Sequence, residues 1–203
     1  KTTAALMAAQ GIRGEDGGEV DTLDQSTPKS GILGYRNLDK SHAETAFSRC
    51  WTGGKVYIAE ELDSAPSGVQ NLKNTALANR RAALAWGMTP QADGFGYIGN
   101  GNTPGAPTPA FPDRKPMSAA FKDRLYFIYW PIDPAIESRA AGIPCPAREP
   151  RQETTCTPAE WGMWVRTVRA WAERNAPTLM VTPRATLMGL QALALGETPL
   201  EMA

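Results

Sequence analysis

The chain has 203 residues, 42% hydrophobic and 21% charged, with Lys+Arg and Asp+Glu both at 21 and a formal charge of +0. That is length for one sizeable domain, with or without a small appendage, and enough apolar material for a real core. The neutral balance argues against a general binder of nucleic acid or membrane surfaces, and no apolar run approaches a membrane span or a signal peptide.

Residues 2–10 are rich in Ala, Leu and Met, lack Gly and Pro, and predict a short helix ending at Gly11. Residues 11–30 read as a loop holding a short strand, followed by the apolar patch Gly31-Ile32-Leu33-Gly34-Tyr35. Residues 43–51 predict a helix with Ala43, Ala46, Phe47 and Cys50 on one face. Residues 56–60, after Gly53-Gly54, have the pattern of a buried parallel strand. A helix is predicted over 66–79, a small hairpin over 82–88 and a strand over 95–99. Residues 103–116 contain five prolines and read as a stiff loop, then a short helix over 117–122. Leu125-Tyr126-Phe127-Ile128-Tyr129-Trp130 is a run of strong strand formers.

After Trp130 the composition turns helical. Helices are predicted over 133–141, 158–175 and 183–195, the last stopped by Gly196, with a Pro-rich inserted loop over 142–157. In the second of these, Trp161, Trp164, Val165, Val168, Trp171 and Ala172 follow helical spacing. Residues 199–203 read as the start of another helix. Strands alternating with helices and then helices alone predict a parallel α/β core over 1–130 and a helical lid over 131–203.

The chemistry gathers at element ends. Lys1-Thr2 stands directly before a helix and offers a cation for phosphates and a hydroxyl for Mg²⁺, as a phosphate-binding loop requires. The glycines of such a loop would precede residue 1, so the chain is read as a fragment that binds ATP poorly by itself. Glu60 and Glu61 end a strand, where acidic groups reach the ligand crevice of a parallel sheet. One can hold Mg²⁺ through water and the other can polarise an attacking water; the plain alternative is a solvated strand end opening a helix. Asn102 can orient that water, or simply serve the turn Asn100-Gly101-Asn102-Thr103. Arg124 can reach a neighbouring subunit's phosphate or make a surface ion pair, and Arg184 can cover a nucleotide or remain an exposed first-turn residue.

Other chemistries lack material. His42 is the sole histidine and is expected in a loop or at a helix cap, which leaves no triad and no multi-His metal site. Cys50, Cys145 and Cys156 form no CxxC set and suggest a reducing cytoplasm. The tryptophans are expected in core and lid packing rather than in a base-stacking surface.

In order, Lys1-Thr2-Thr3, Gly31–Tyr35, Glu44-Thr45-Ala46-Phe47, Gly53 to Asp63 with Glu60-Glu61, Asn71 to Asn79, Gly101-Asn102-Thr103, Lys122-Asp123-Arg124-Leu125 and Thr182-Pro183-Arg184 resemble the MoxR/CbbQ/CobS-like, dynein-related group of AAA+ ATPases. The resemblance covers nearly all of the chain. It implies a P-loop NTPase core, a three-layer αβα parallel sheet with a C-terminal helical lid, that binds ATP and hydrolyses it with Mg²⁺ to remodel a partner protein. Lys1, Thr2 and Thr3 would then be the end of Walker A. Thr2 and Glu60 would serve Mg²⁺, and Glu61 and Asn102 the attacking water. Arg124 would be the arginine finger and Arg184 sensor 2. The resemblance also implies a hexameric ring and a client protein with a von Willebrand factor A domain. The usual acid pair is Asp-Glu; Glu60 is one methylene longer, a departure that points to a shifted Mg²⁺ water shell and slower hydrolysis. The competing expectation is a nucleotide-binding scaffold with little hydrolysis. A nucleic-acid motor is disfavoured by the neutral charge.

Overall fold

A computed structural model describes residues 1–143 and 156–195. The expectations for Cys145, the Gly196 stop and residues 199–203 lie outside the described residues. The chain divides into two compact units, Lys1–Ile128 and Tyr129–Ala203. Among the described residues no helix is long and apolar enough to cross a membrane.

In the first unit, helix α1 (Thr2–Arg13) leads to strand β1 (Gly18–Thr22). Short α2 (Lys29–Leu33) and a two-stranded pairing of β2 (Tyr35–Arg36) with β3 (His42–Ala43) precede α3 (Ala46–Gly53). Strand β4 (Val56–Glu60) is followed by a 3-10 turn at Leu62–Ser64 and α4 (Ser67–Asn79). The antiparallel hairpin β5 (Arg81–Leu84) and β6 (Gly87–Pro90), strand β7 (Gly96–Gly99) and α5 (Ala119–Lys122) complete it.

Strands β1, β4 and β7 form a three-stranded parallel sheet in the order β1-β4-β7. Side chains of the central strand alternate between its two faces, as a two-residue period requires, and both faces are buried. Val56 and Ile58 pack with Ala5 and Ala9 of α1, while Tyr57 and Ala59 join Phe47, Cys50 and Trp51 of α3 in the larger core. Helices therefore flank both faces, the arrangement of Rossmann-like and P-loop-like folds, and the unbroken apolar run of β4 reflects burial on both sides.

Several elements depart from expectation. Helix α1 runs through Gly11 to Arg13, and Gly14, at φ 86°, ends it instead. His42 sits in a short strand, with its ring edge 6.0 Å from Trp86. Thr45 starts α3 with a reciprocal capping box with Ser48, so the helix begins at Ala46 rather than at 43. Residues 125–130 form no strand: Tyr126 is 92% exposed and Tyr129 88%. Strand preference expresses packing against neighbours, and no ladder partner meets this run.

The second unit, in its described residues, is helical: α6 (Pro134–Ala141), α7 (Pro158–Asn175) and α8 (Pro183–Ala194). A Thr157–Glu160 capping box opens α7. Its buried stripe is Trp161, Gly162, Val165, Arg169 and Ala172, while Trp164 and Trp171 stay exposed. Arg169 takes the place expected of a tryptophan because it finds a buried carboxylate, Glu137. At Gly189 an added Cβ would lie 2.0 Å from the Trp161 ring, so glycine there permits the close approach of α7 and α8.

Candidate functional site

The C-terminal ends of β1, β4 and β7 lie together, with Thr22 beside Glu60 and Ala59 beside Gly99 in register. The crevice at this edge is where parallel sheets bind ligands. The N-terminus of α1 joins it. Lys1 is the N-cap, no side chain caps the helix, and its first turn carries no acid. The helix dipole and unpaired N–H groups there favour an anion.

Thr2 Oγ1 donates to Glu60 Oε2 at 2.7 Å. The other carboxylate oxygen of Glu60 accepts from the Asn100 side-chain amide. Glu60 is thus held from both sides at the end of the central strand. Glu61 follows with φ 52°, the left-handed region that side chains adopt at a cost of about 1–2 kcal/mol. That turn aims its carboxylate at Asn102, whose Nδ2 donates to Oε1 at 3.0 Å and Oε2 at 3.1 Å. Asn102 Oδ1 in turn accepts from Lys1 Nζ at 3.2 Å, and the same ammonium donates to the Gly101 carbonyl. One amide therefore joins the cation to the acid.

Asp63 explains how Asn102 is placed. Its side chain is 1% exposed, and Oδ2 accepts the backbone N–H of Asn102 at 3.1 Å and of Thr103 at 2.9 Å. Gly101 suits this closeness, since a Cβ there would fall 3.1 Å from Asp63 Oδ1 and press on it. Arg114 completes the cluster: Nη2 donates to Glu61 Oε2 at 2.8 Å, Nε lies 3.8 Å from Asp63 Oδ2, and the guanidinium rests over the Phe111 ring.

Of the residues singled out from the sequence, Lys1, Thr2, Glu60, Glu61 and Asn102 are brought together. Thr3 is exposed in the first turn of α1 and makes no side-chain hydrogen bond. Arg124 is not part of the cluster; it lies just past α5, and its guanidinium donates to the Ala120 carbonyl of that helix. Arg184 is an exposed residue at the start of α8 in the second unit. Asp63, Asn100 and Arg114 are functional neighbours that sequence reasoning passed over. Asp63 stands in the acidic stretch after the strand, but Arg114 sits in the Pro-rich loop, where nothing local marks it.

Other reactive groups are quiet. Burial pushes the Cys50 thiol up to about 11, so it is no nucleophile near neutral pH. Among the described residues no group of three or more His, Cys, Asp or Glu could hold a metal by protein ligands alone. A separate groove of about 820 Å³ between α2, α4 and the β5–β6 hairpin has Leu33, Leu72, Ala82 and Met88 in its lining and no carboxylate. It shares no residue with the cluster.

No family model matches the chain, and no curated protein matches it. Among solved structures it is similar to the crystal structure of NtrX from Brucella abortus, with a TM-score of 0.54 and 13% identity, over 93% of this chain and 44% of that one. The chain thus spans less than half of the NtrX chain. At that identity the likeness shows the fold alone, the mixed α/β arrangement with a parallel sheet flanked by helices. Assignment to the MoxR/CbbQ/CobS-like group of AAA+ ATPases is corrected by these findings, since no family model matches and NtrX is a structural neighbour. The motifs behind it are short, and an acid at a strand end or Lys-Thr at a helix start reports local chemistry rather than descent. The hexameric ring and the von Willebrand factor A client rested on that assignment alone.

Proposed function

We propose that the first unit binds ATP with Mg²⁺ and hydrolyses it. The observation that carries this reading is the Thr2–Glu60 hydrogen bond, which sets a hydroxyl at a helix N-terminus against the acid that ends the central parallel strand. Lys1, beside it, offers a point charge for phosphate oxygens, and the uncapped turn of α1 adds its N–H groups. Mg²⁺ takes oxygen ligands, keeps several waters and is usually held by one or two carboxylates with the substrate's phosphates. The Thr2 hydroxyl and the Glu60 carboxylate fit that donor set, and they would hold the ion. When bound, it would neutralise charge on the phosphates. Glu61 is the group placed to polarise a water, and Asn102 is the group placed to orient it.

The test is steady-state ATP hydrolysis by the purified protein with Mg²⁺, beside Glu61→Gln. Turnover is expected to fall about 100-fold or more in the variant while ATP stays bound. Retention of full turnover in Glu61→Gln would sink this assignment. A second reading, a nucleotide-binding scaffold with little hydrolysis, is favoured by one observation: both Glu61 oxygens are already engaged, by Asn102 and Arg114. It predicts ATP binding with equally low turnover in both proteins.

A further inference from the structure

We infer that Arg114 is the group that tells a nucleoside triphosphate from a diphosphate: it clasps Glu61 at rest and exchanges that carboxylate for the terminal phosphate. This rests on reading the cluster as a nucleotide-hydrolysing site. It adds a residue and a selectivity that the reading does not itself contain.

The clasp is built for exchange. A guanidinium carries five N–H donors in a fixed fork and recognises phosphate and carboxylate with the same geometry. Arg114 spends Nη2 on Glu61, while its buried Nε has no hydrogen-bond partner. Asp63 Oδ1 and Thr103 Oγ1 are also buried without a hydrogen-bond partner. Buried polar atoms are nearly always paired, and Arg114 Nε is the orphaned donor that a phosphate oxygen would satisfy. Glu61 is the more solvent-accessible half of the pair: its side chain is 39% exposed, against 13% for Arg114.

The support under Arg114 keeps it aimed at the cluster. Its loop is closed at the base by Met117 N–H donating to the Gly105 carbonyl at 2.9 Å, and is bridged between Thr108 and Phe111. Gln25 ties the neighbouring Asp113 at 3.2 Å, and the Phe111 ring lies 5.4 Å beneath the guanidinium. Lys1 and Arg114 meet opposite sides of one Asn102–Glu61 pair, so an anion entering beside Lys1 competes with Glu61 for Arg114. A diphosphate lacks the γ-phosphate that would make that exchange. Glu61 is then freed only when there is a bond to hydrolyse. The exchange makes and breaks no covalent bond.

The experiment is calorimetric titration of the purified protein with Mg·ATPγS and with Mg·ADP, for the unaltered chain, R114A and R114K. The unaltered protein is expected to prefer ATPγS. R114A should lose about tenfold or more for ATPγS while ADP stays within about twofold, and R114K should recover part of the loss. A loss shared equally by both nucleotides, no loss at all, or equal affinities in the unaltered protein overturns the inference and leaves the nucleotide reading standing. An unaltered protein that binds neither nucleotide removes both. Should R114A fail to fold, R114K decides, because it keeps the charge and loses only the fork.

Discussion

Two of the carboxylate–arginine pairs among the described residues look alike on paper and are built for opposite purposes. In the second unit Glu137 and Arg169 are closed in. Arg169 Nη1 and Nη2 reach the two Glu137 oxygens at 2.8 Å each, Nε donates to the Val181 carbonyl, and Thr186 Oγ1 donates to Oε1 at 2.6 Å. The arginine holds the Glu137 carboxyl below its ordinary range, against the opposing effect of burial. In the first unit Glu61 and Arg114 are left open, with Glu61 part-exposed on a left-handed backbone and orphaned polar atoms around it. A saturated pair specifies packing. An unsaturated one keeps donors free for something that arrives later.

The largest effect that tests this contrast is Glu137→Ala. It strands a buried guanidinium and should cost about 3–5 kcal/mol, read by denaturant melting of the intact protein. A loss under about 1 kcal/mol would show that the closed pair is not structural. Its acid limb has a definite sign. Because the folded pKa of Glu137 is depressed, its contribution is present above the unfolded value and is lost as pH falls through the folded one.

Next comes Lys73, a fully buried ammonium that lies 5.1 Å from the Tyr57 ring centre and has no hydrogen-bond partner. Burial lowers its pKa from 10.5 to about 7, with Asp21 opposing. The unfolded chain therefore binds the extra proton between about 7 and 10.5, and stability should rise with pH across that window. Lys73→Met should flatten the rise and add about 1–3 kcal/mol near neutral pH. An unchanged pH slope in the variant would refute the assignment.

Glu61→Gly relieves the positive φ but leaves Arg114 and the Asn102 amide without their acceptor, so stability is expected to move by less than about 1 kcal/mol while turnover is abolished. The smallest effect belongs to Arg124→Ala. Its side chain is exposed and bonded only to the end of the preceding helix α5, so stability should move by less than about 0.5 kcal/mol and turnover of the isolated chain should not change.

Much of the sheet was legible before any coordinates. The apolar run ending in Glu60-Glu61 is the central strand, Gly96–Gly99 is its neighbour, and the Thr157–Asn175 segment announces itself by its Pro and its helical spacing. The run at 125–130 has strand propensity but no ladder partner, and Trp171 keeps helical spacing yet is exposed. Within the candidate site, Lys1, Thr2, Glu60, Glu61 and Asn102 were visible because each stands where an element ends.

The sequence by itself determined the alternation of strands and helices and the acids at the sheet's edge, both written in patterns a few residues long. Only the tertiary structure decided that Arg114, 53 positions after Glu61, closes on it, that Asp63 sets the Asn102 loop, and that Lys73 is buried. Periodicity encodes which way a side chain faces within its own element. Which side chains meet depends on sheet register and loop path, and those are fixed by the packing of the whole unit.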